Sequence, residues 1–383
     1  MLVTFGALMW LCGAAAEYAW ASQAAATLAV PASGMLDVGG SKIYYERCGA
    51  GPAVVLLHDG LVHSVTWDGS WDALCKRFQA IRYDRRGYGR SQAATGRFSQ
   101  TEDLRALLAH LNVERAIIAG NSSGGALAID FALAYPGMVK GLLLVGPIVH
   151  GMGVTDHFRE RGRRNMAPLE RGDIAGAAEN WSRDIYILAP GHEAARKKLR
   201  DVLAGNPQNL KSGGALEIWN SPPAVARLSQ IRAPTLILVG ESDIPDVHAH
   251  CGIIEAGVPG AHREVVKGAG HLIQLDNPDL FTEKLGWFID RNERKEVSVP
   301  VGTLEDYVGR YDLGGYLLTI TRADSRLVGH VPGGLDFLLF PESSSKFFLK
   351  SEDAEVEFTR DAAGKVNQAI VHEKGAATKA PRL

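Results

Sequence analysis

Two adjacent serines stand in the stretch IIAGNSSGGALA, residues 117 to 128, between a run of branched apolar residues and an alanine-rich run. A serine at a sharp turn between a strand and a helix is placed to act as a nucleophile. Such a turn needs small neighbours, because its backbone is strained and the helix approaches closely. Ser122 has glycine two residues before it and two residues after it, at Gly120 and Gly124, whereas Ser123 has the larger Asn121 two residues before it. The pattern therefore favours Ser122, with the backbone N–H of Ser123 facing a developing oxyanion.

A serine at neutral pH needs a base to activate it, and the base needs an acid to hold its tautomer. His271 lies in KGAGHLIQLDNPDLF, after a predicted strand and ahead of a predicted helix. Asp243 follows another predicted strand in LVGESDIPDV, where Glu241 and Asp246 are the alternatives. Ligands and catalytic groups gather at the carboxyl ends of such strands. The sequence thus predicts a triad in the chain order Ser122, Asp243, His271.

The elements that must position these residues alternate between short apolar runs and helical stretches, which predicts an α/β fold with a mostly parallel sheet. A helix with a threonine cap is predicted over 101–111. Between about 150 and 230 helical segments replace the expected strand, and an insertion of this kind predicts a lid. The predicted strands cover residues 42–49, 53–58, 80–84, 115–120, 141–146, 234–240 and 262–268.

The N-terminal residues are nearly all apolar from residue 2 to residue 16. This is the length of a signal-peptide core and is short for a membrane span. Residues 1–26 are therefore predicted to be a signal peptide or an anchor, which favours an exported protein, periplasmic or secreted, without a membrane span in its mature chain.

Charge and cysteine content exclude several classes of protein. The 383 residues carry 41 basic and 43 acidic side chains, a balance that argues against binding to nucleic acid. Of the four cysteines, Cys12 lies in the leader, and Cys48, Cys75 and Cys251 are widely spaced. They predict neither a disulfide framework nor a zinc site, and the sequence implies no metal and no cofactor. The composition does not predict an oligomeric state.

The C-terminal part differs in character from the rest. The segment RNERKEVSVPVGT, which begins at residue 291, is typical of a linker, and short alternating runs follow it. The chain is therefore predicted to consist of a domain over 30–297 and a small antiparallel sheet or barrel over 298–383. We expect the second domain to pack on the first or to shape its entrance.

Five motifs in order resemble those of the α/β-hydrolase superfamily: LLHDG, YDRRGYGRS, GNSSGG, VGESD and GAGH. The resemblance covers residues 36 to 292 and implies the α/β-hydrolase fold, with a mostly parallel central sheet and a helical lid. It implies an oxyanion hole made by the N–H groups of Gly60 and Ser123, with Asp59 at a position where glycine is usual. The resemblance also implies that YDRRGYGRS forms a turn scaffold rather than a catalytic element. The C-terminal stretch resembles the small all-β domain of some β-lactamase-related hydrolases.

The chemistry that follows is two-step acyl transfer on a small-molecule substrate, by default a carboxylic ester. Lactone, peptide and carbon–carbon bond hydrolysis and perhydrolysis remain alternatives, as does a hydrolase-like protein that binds without turnover. The candidate pocket residues are Asp59, His63, Trp67, Trp181 and Trp219, and core packing is the alternative for the aromatic ones.

Overall fold

The computed structural model describes residues 32–210, 216–334, 336–373 and 375–383, so the predicted leader at 1–26 lies outside the described residues. The strands are β1 (Ala32–Asp37), β2 (Lys42–Cys48), β3 (Ala53–Leu57), β4 (Gln79–Tyr83), β5 (Ala116–Asn121), β6 (Val139–Val145), β7 (Thr235–Gly240), β8 (His262–Val266), β9 (Gly309–Asp312), β10 (Leu317–Ala323), β11 (Arg326–His330), β12 (Phe337–Pro341), β13 (Lys346–Phe348), β14 (Ala354–Arg360), β15 (Val366–Glu373) and β16 (Ala376–Pro381). The α-helices are α1 (Asp68–Cys75), α2 (Gln100–His110), α3 (Ser123–Ala134), α4 (Asp156–Met166), α5 (Ile174–Arg183), α6 (Glu193–Gly205), α7 (Pro245–Gly257), α8 (Ile273–Asp276), α9 (Pro278–Glu293) and α10 (Val301–Tyr307).

The first sheet confirms the predicted fold class. Within the described residues its eight strands run in the order β1-β2-β4-β3-β5-β6-β7-β8. The pairs from β4 through β8 are parallel, whereas β1 and β2 join the edge antiparallel. Strands β3, β5 and β7 are buried along their whole length, as expected of a sheet covered on both faces. The carboxyl ends of the parallel strands therefore meet at one edge.

Apolar side chains cover both faces of this sheet. On one face Leu104 and Leu108 of α2 and Phe131 of α3 pack against β3 and β5. On the other, Phe281 and Phe288 of α9 pack against β5 and β6. No helix within the described ranges is both long and apolar enough to cross a bilayer.

Helix α2 lies where it was predicted, but its N-cap residue is not the predicted threonine. The Ser99 hydroxyl, one residue before the helix, accepts a hydrogen bond from the Glu102 N–H at 3.4 Å. Thr101 instead lies inside the helix, because the cap residue needs the extended backbone that Ser99 has.

Helices α4, α5 and α6 fill the connection between β6 and β7, where helical segments were predicted. They share an apolar cluster that includes Trp181 and Leu199 and extends to Val62 and Leu272 of the main domain. Leu272 directly follows His271, so this cluster anchors the helices beside the loop of the predicted base.

Cys48 and Cys75 form a disulfide, a bond that the number and spacing of the cysteines did not predict. The bond joins the end of β2 to the end of α1, 27 residues later in the chain. The two Cα atoms lie 5.2 Å apart, a normal spacing for a disulfide. Cys251 is buried and free.

The C-terminal residues form a second sheet, an antiparallel meander from β9 to β16. A bridge between Tyr311 and Arg382 joins its two ends, so the meander closes on itself. Its core is aromatic, with the rings of Tyr307 and Phe358 stacked 4.3 Å apart. Helix α10 and the short strands β9 and β16 were not predicted from the sequence.

Candidate active site

Ser122 stands at a strained corner between β5 and α3. Its backbone has φ 54° and ψ −116°, a conformation that residues with a side chain rarely adopt. A Cβ on Gly120 would fall closer than 3.0 Å to the carbonyl oxygen of Gly124. A Cβ on Gly124 would fall as close to the carbonyl oxygen of Leu57. Only glycine fits at these two positions, which lie two residues before and two residues after Ser122.

Asp243 and His271 meet at the carboxyl edge of the sheet. The His271 Nδ1 lies 2.9 Å from Oδ1 and 3.1 Å from Oδ2 of Asp243. Both residues are 4% exposed, so little water competes for this hydrogen bond. With Nδ1–H donating to the carboxylate, Nε2 is the ring atom that can accept a proton.

The other two carboxylates of the Asp243 loop have different partners. Glu241 accepts a hydrogen bond from the Gly268 N–H at 3.1 Å. Asp246 accepts hydrogen bonds from the backbone N–H and the hydroxyl of Thr155, at 2.6 Å and 2.9 Å. Among the three candidates, only Asp243 bonds to the imidazole of His271.

The loop of His271 is held on both sides. Its backbone N–H donates to the carbonyl of Tyr186 at 2.8 Å, in the helical insertion. Its carbonyl accepts from the Nδ2 of Asn121 at 3.2 Å, and Asn121 directly precedes Ser122. The Gly270 N–H donates to the Asp276 carboxylate at 2.7 Å. These bonds fix the imidazole relative to the serine corner.

The pKa of His271 is raised above its ordinary value. Burial alone would lower this pKa, because it disfavours the imidazolium. The negative charge of Asp243 and its hydrogen bond outweigh burial, and the carboxylate of Asp59 acts in the same direction. The site therefore favours the protonated state that a base reaches after accepting a proton from a serine.

Gly60 and Ser123 lie side by side. A Cβ on Gly60 would be 3.5 Å from the Ser123 hydroxyl oxygen. One guanidinium joins the two loops: Nη2 of Arg85 donates to the carbonyl of Asp59 at 2.6 Å and to the Ser123 hydroxyl at 2.8 Å. The carbonyl of Asp59 belongs to the same peptide group as the N–H of Gly60, so Arg85 fixes the direction of that N–H.

The role of Arg85 was not predicted from the sequence, where YDRRGYGRS was interpreted only as a turn scaffold. The pair of adjacent arginines in this motif was the available indication, because a turn alone does not require both. Arg86 binds the carboxylate of Asp103 at 2.6 Å and 2.8 Å, as a structural residue would. Arg85 points the other way, toward the predicted oxyanion hole.

Asp59 is buried, with 1% of its surface exposed. Its Oδ1 accepts hydrogen bonds from the N–H groups of Leu61 and Val62, at 3.1 Å and 2.8 Å. The carboxylate thus braces the loop after β3. Burial raises the pKa of this carboxyl group.

The four other predicted pocket residues occupy different environments. Trp67 is fully buried, with its ring 5.1 Å from that of Phe281, and lies in the core. His63 is 3.4 Å from the Asp84 carboxylate and is also buried. Trp181 is 7% exposed and donates from Nε1 to a methionine sulfur in the helical insertion.

Trp219 is half exposed, and its ring lies 3.8 Å from that of His150. These two residues and Ser123 line a cavity of about 10 Å³, together with Asp130 and Glu217. Sequence analysis did not single out His150, Asp130 or Glu217, because isolated polar residues carry no local pattern. Trp219, one of the predicted pocket residues, therefore shares this cavity with Ser123 of the serine corner.

No group of three or more histidine, cysteine, aspartate or glutamate side chains in the part of the chain that the structure describes is arranged to hold a metal ion.

Comparison with known proteins gives two family matches. A family model described as "alpha/beta hydrolase fold" matches residues 52–278, which include the serine corner and the loops of Asp243 and His271. A second model, described as a domain of unknown function (DUF3471), matches residues 293–380.

Three similar proteins illustrate the range of chemistry among the relatives. A putative carbamate hydrolase of Azorhizobium caulinodans is 28% identical over 64% of this chain and 94% of its own length. A pimeloyl-[acyl-carrier protein] methyl ester esterase of Nitrosomonas europaea is 26% identical, over 63% and 97%. The solved structure of Est816, described as an N-acyl homoserine lactone degrading enzyme, has a TM-score of 0.54 at 26% identity and covers 66% of this chain and 99% of its own.

Proposed function

Because the chain belongs to the family of proteins with the alpha/beta hydrolase fold, we propose that this hydrolase cleaves carboxylic esters through an acyl-enzyme on Ser122. The observation that carries the proposal is the 2.9 Å hydrogen bond between Asp243 and His271, in a loop bonded to the residue before the strained serine. A protein that only binds ligands has no need for a buried acid–base pair in this position.

In the proposed mechanism, the Ser122 hydroxyl attacks the ester carbonyl carbon while Nε2 of His271 accepts its proton. Asp243 stabilises the imidazolium, and the N–H groups of Gly60 and Ser123 stabilise the oxyanion. Collapse of the tetrahedral intermediate breaks the ester C–O bond, and His271 returns the proton to the leaving alcohol. Water then attacks the acyl-enzyme with the same base, which releases the acid and regenerates the serine.

The ester assignment draws on chemistry shared by the relatives. A methyl ester esterase and a lactone-degrading enzyme both act on compounds that contain a carboxylic ester group. Acyl transfer from a serine is sufficient for such a group without a metal ion. Carbamates, the substrate class named for a third relative, present a similar carbonyl and are the first alternative to test.

The test is a fluorophosphonate label combined with a panel of p-nitrophenyl esters of different acyl lengths, with lactone, carbamate and amide compounds alongside. We expect Ser122→Ala to lose both the label and ester turnover. Ser123→Ala is the matched control, since it keeps the backbone N–H and should still be labelled. Labelling at Ser123, or full ester turnover by Ser122→Ala, contradicts the mechanism, and turnover of amides alone contradicts the substrate class.

We also propose that the protein is exported. The Cys48–Cys75 disulfide supports this, because such bonds persist in oxidising compartments. The apolar residues 2 to 16 have the length of a signal-peptide core. Fractionation of expressing cells, with sequencing of the mature N-terminus, tests the proposal, and an intact chain confined to the cytosol contradicts it.

A further inference from the structure

A second cavity, of about 470 Å³, lies at the amino-terminal ends of the parallel strands, whereas Ser122 lies at their carboxyl ends. At this cavity the first sheet meets the C-terminal one. It is bounded by residues at the amino-terminal ends of β5, β6 and β7, by the end of α9 and by β11 and β12. Its volume is within the range of small-molecule sites. We call it the basic cavity, defined by its lining: Arg115, Pro136, Val139, Lys140, Arg232, Ala233, Pro234, Asn292, Glu293, Arg294, Glu296, Arg326, Phe340 and Lys350.

The lining of the basic cavity is strongly cationic. Six of its side chains are arginine or lysine and two are glutamate. The whole chain, in contrast, has more acidic than basic residues and a net charge of −2. Arg294 pairs with Glu342 and Glu355, and Arg326 lies 3.4 Å from Glu296, so the positive charge left uncompensated is that of the remaining arginines.

Two of the arginines have no carboxylate partner among the residues that the structure describes. Lys140 pairs with Glu293 at 2.6 Å, and Lys350 pairs with Glu296 at 2.6 Å. Among the described residues no carboxylate pairs with Arg115 or Arg232, and Arg232 donates only to the carbonyl of Ser229. A ligand with negative charge would complete this arrangement.

Asn292 adds an unsatisfied polar group to the same lining. It is nine-tenths buried, and its Nδ2 donates to the carbonyl of Phe288 at 2.8 Å. Its Oδ1 has no hydrogen-bond partner among the described residues. A buried acceptor without a donor is costly, so the wall of the cavity has an unmet hydrogen bond at Asn292.

We propose that the basic cavity binds a phosphate monoester of a small molecule. Arginine suits phosphate because its planar fork donates two parallel hydrogen bonds to the oxygens. The dianionic phosphate matches the two arginines that lack a carboxylate partner among the described residues. Arg326 and Lys350 each lie 4.5 Å from the centroid of the Phe340 ring in the same lining.

This site is separate from the proposed ester site. Arg115 precedes the first residue of β5 and Ser122 follows its last, so a strand of six residues, roughly 20 Å, lies between them. A bound phosphate ester would touch residues of both sheets. Its binding is therefore expected to stabilise the junction between them.

Isothermal titration calorimetry at low, constant ionic strength, with glycerol 3-phosphate as the probe and glycerol as the matched compound without phosphate, tests the proposal. The wild type should bind one glycerol 3-phosphate and no glycerol. The double variant Arg115→Gln/Arg232→Gln should bind at least about tenfold more weakly, since two charge-assisted contacts are lost. The control Arg47→Gln/Arg97→Gln removes two exposed arginines outside the cavity and should bind like the wild type.

A second arm uses vesicles that contain phosphatidic acid, which carries the same phosphate group on a lipid. Vesicle binding that the double variant loses identifies a lipid headgroup as the source, whereas binding of free glycerol 3-phosphate alone identifies a soluble ligand. Absence of binding in both arms, or equal binding by the wild type and the double variant, overturns the proposal. Ser122→Ala should bind glycerol 3-phosphate unchanged, so this result does not depend on the ester chemistry.

Discussion

At the scale of single residues, the hydrogen bond between Asp243 and His271 sets both the rate and the pH dependence expected of ester turnover. In Asp243→Asn the amide cannot hold the imidazole in the tautomer that accepts a proton at Nε2. We expect kcat/KM to fall by about 10⁴. The control is Glu241→Gln, the same chemical change at an exposed residue of the same loop, which should retain wild-type turnover.

The pH profile of kcat/KM gives a second readout of this pair. His271 acts as a base only when neutral, so activity falls as the pH drops through its pKa. Asp243, with a further contribution from Asp59, raises this pKa above its ordinary value. We therefore expect the acidic limb of the wild-type profile above about pH 6.5, and the limb of Asp243→Asn at lower pH. An acidic limb at the same pH in both enzymes would contradict this assignment.

Arg85 is expected to act through the peptide and the hydroxyl that it holds rather than on the substrate. Arg85→Lys keeps the charge but loses the fork that reaches Asp59 and Ser123 together. We expect kcat to fall by about 10- to 100-fold with little change in KM, because the oxyanion donors are misdirected in the transition state. Binding of a boronic acid that mimics the tetrahedral intermediate should weaken in parallel.

Arg86→Lys is the comparison for Arg85→Lys. Arg86 bonds to Asp103 and to the carbonyl of Val38, away from the serine corner. Its replacement should lower the melting temperature and leave kcat unchanged. Two outcomes would show that Arg85 has no special effect on the oxyanion hole. In one, both variants are less stable and neither has a lower kcat; in the other, both have the same reduction in kcat.

At the scale of elements, the corner between β5 and α3 depends on how closely α3 approaches β3. A methyl group on Gly124 would meet the carbonyl oxygens of Leu57 and His58, and a backbone cannot move aside as a flexible side chain does. We expect Gly124→Ala to destabilise the protein by about 1–3 kcal/mol or more and to reduce turnover, since the strand and helix must separate.

The control is Gly162→Ala in the middle of α4. A Cβ there has nothing within 4 Å, and its φ is not positive. Alanine should stabilise this helix by about 0.5–1 kcal/mol, since it restricts the unfolded chain. Chemical denaturation measures the free energy of unfolding of both variants. Equal values for the two would contradict the inference that α3 must approach β3 closely at Gly124.

The sequence predicts the elements that depend on interactions between neighbouring residues, and it does not predict those that depend on contacts between distant segments. The strands from β2 to β8 and the glycines around Ser122 follow from apolar periodicity and turn chemistry, which are local. The pairing of Cys48 with Cys75 depends on α1 ending beside β2, and the contacts of Arg85 join three separate loops. No pattern within a single segment reveals either of these.

The pocket residues illustrate the same limit. Aromatic residues near the predicted site were equally consistent with core packing and with substrate contact. Trp67 lies in the core against α9, and Trp219 lies exposed beside His150, although both tryptophans have mixed apolar and polar neighbours in the sequence. Only the packing of distant segments separates the two cases.

At the scale of the whole molecule, Arg291 at the end of α9 joins the two sheets. It donates to the carbonyl oxygens of Leu349 and Ala354 and lies 3.3 Å from the carboxylate of Asp353. Burial lowers the pKa of its guanidinium, although neighbouring carboxylates oppose this shift. The positions of the two carbonyls were not predictable, since they depend on the register of β13 and β14.

Arg291→Met should weaken the junction between the two sheets far more than the first domain itself. The Leu349 carbonyl oxygen loses this donor, which costs about 1–3 kcal/mol, whereas the Ala354 carbonyl oxygen keeps the hydrogen bond from the Leu349 N–H at 3.1 Å. We expect thermal unfolding, followed by calorimetry, to change toward two transitions, with the C-terminal part melting first. The control Arg77→Met removes an exposed ion pair to Asp290 within the first domain and should cost less than about 1 kcal/mol. If Arg291→Met unfolds in one transition at the wild-type temperature, the two sheets do not depend on this contact, and the prediction of a separate domain over 298–383 loses its energetic basis.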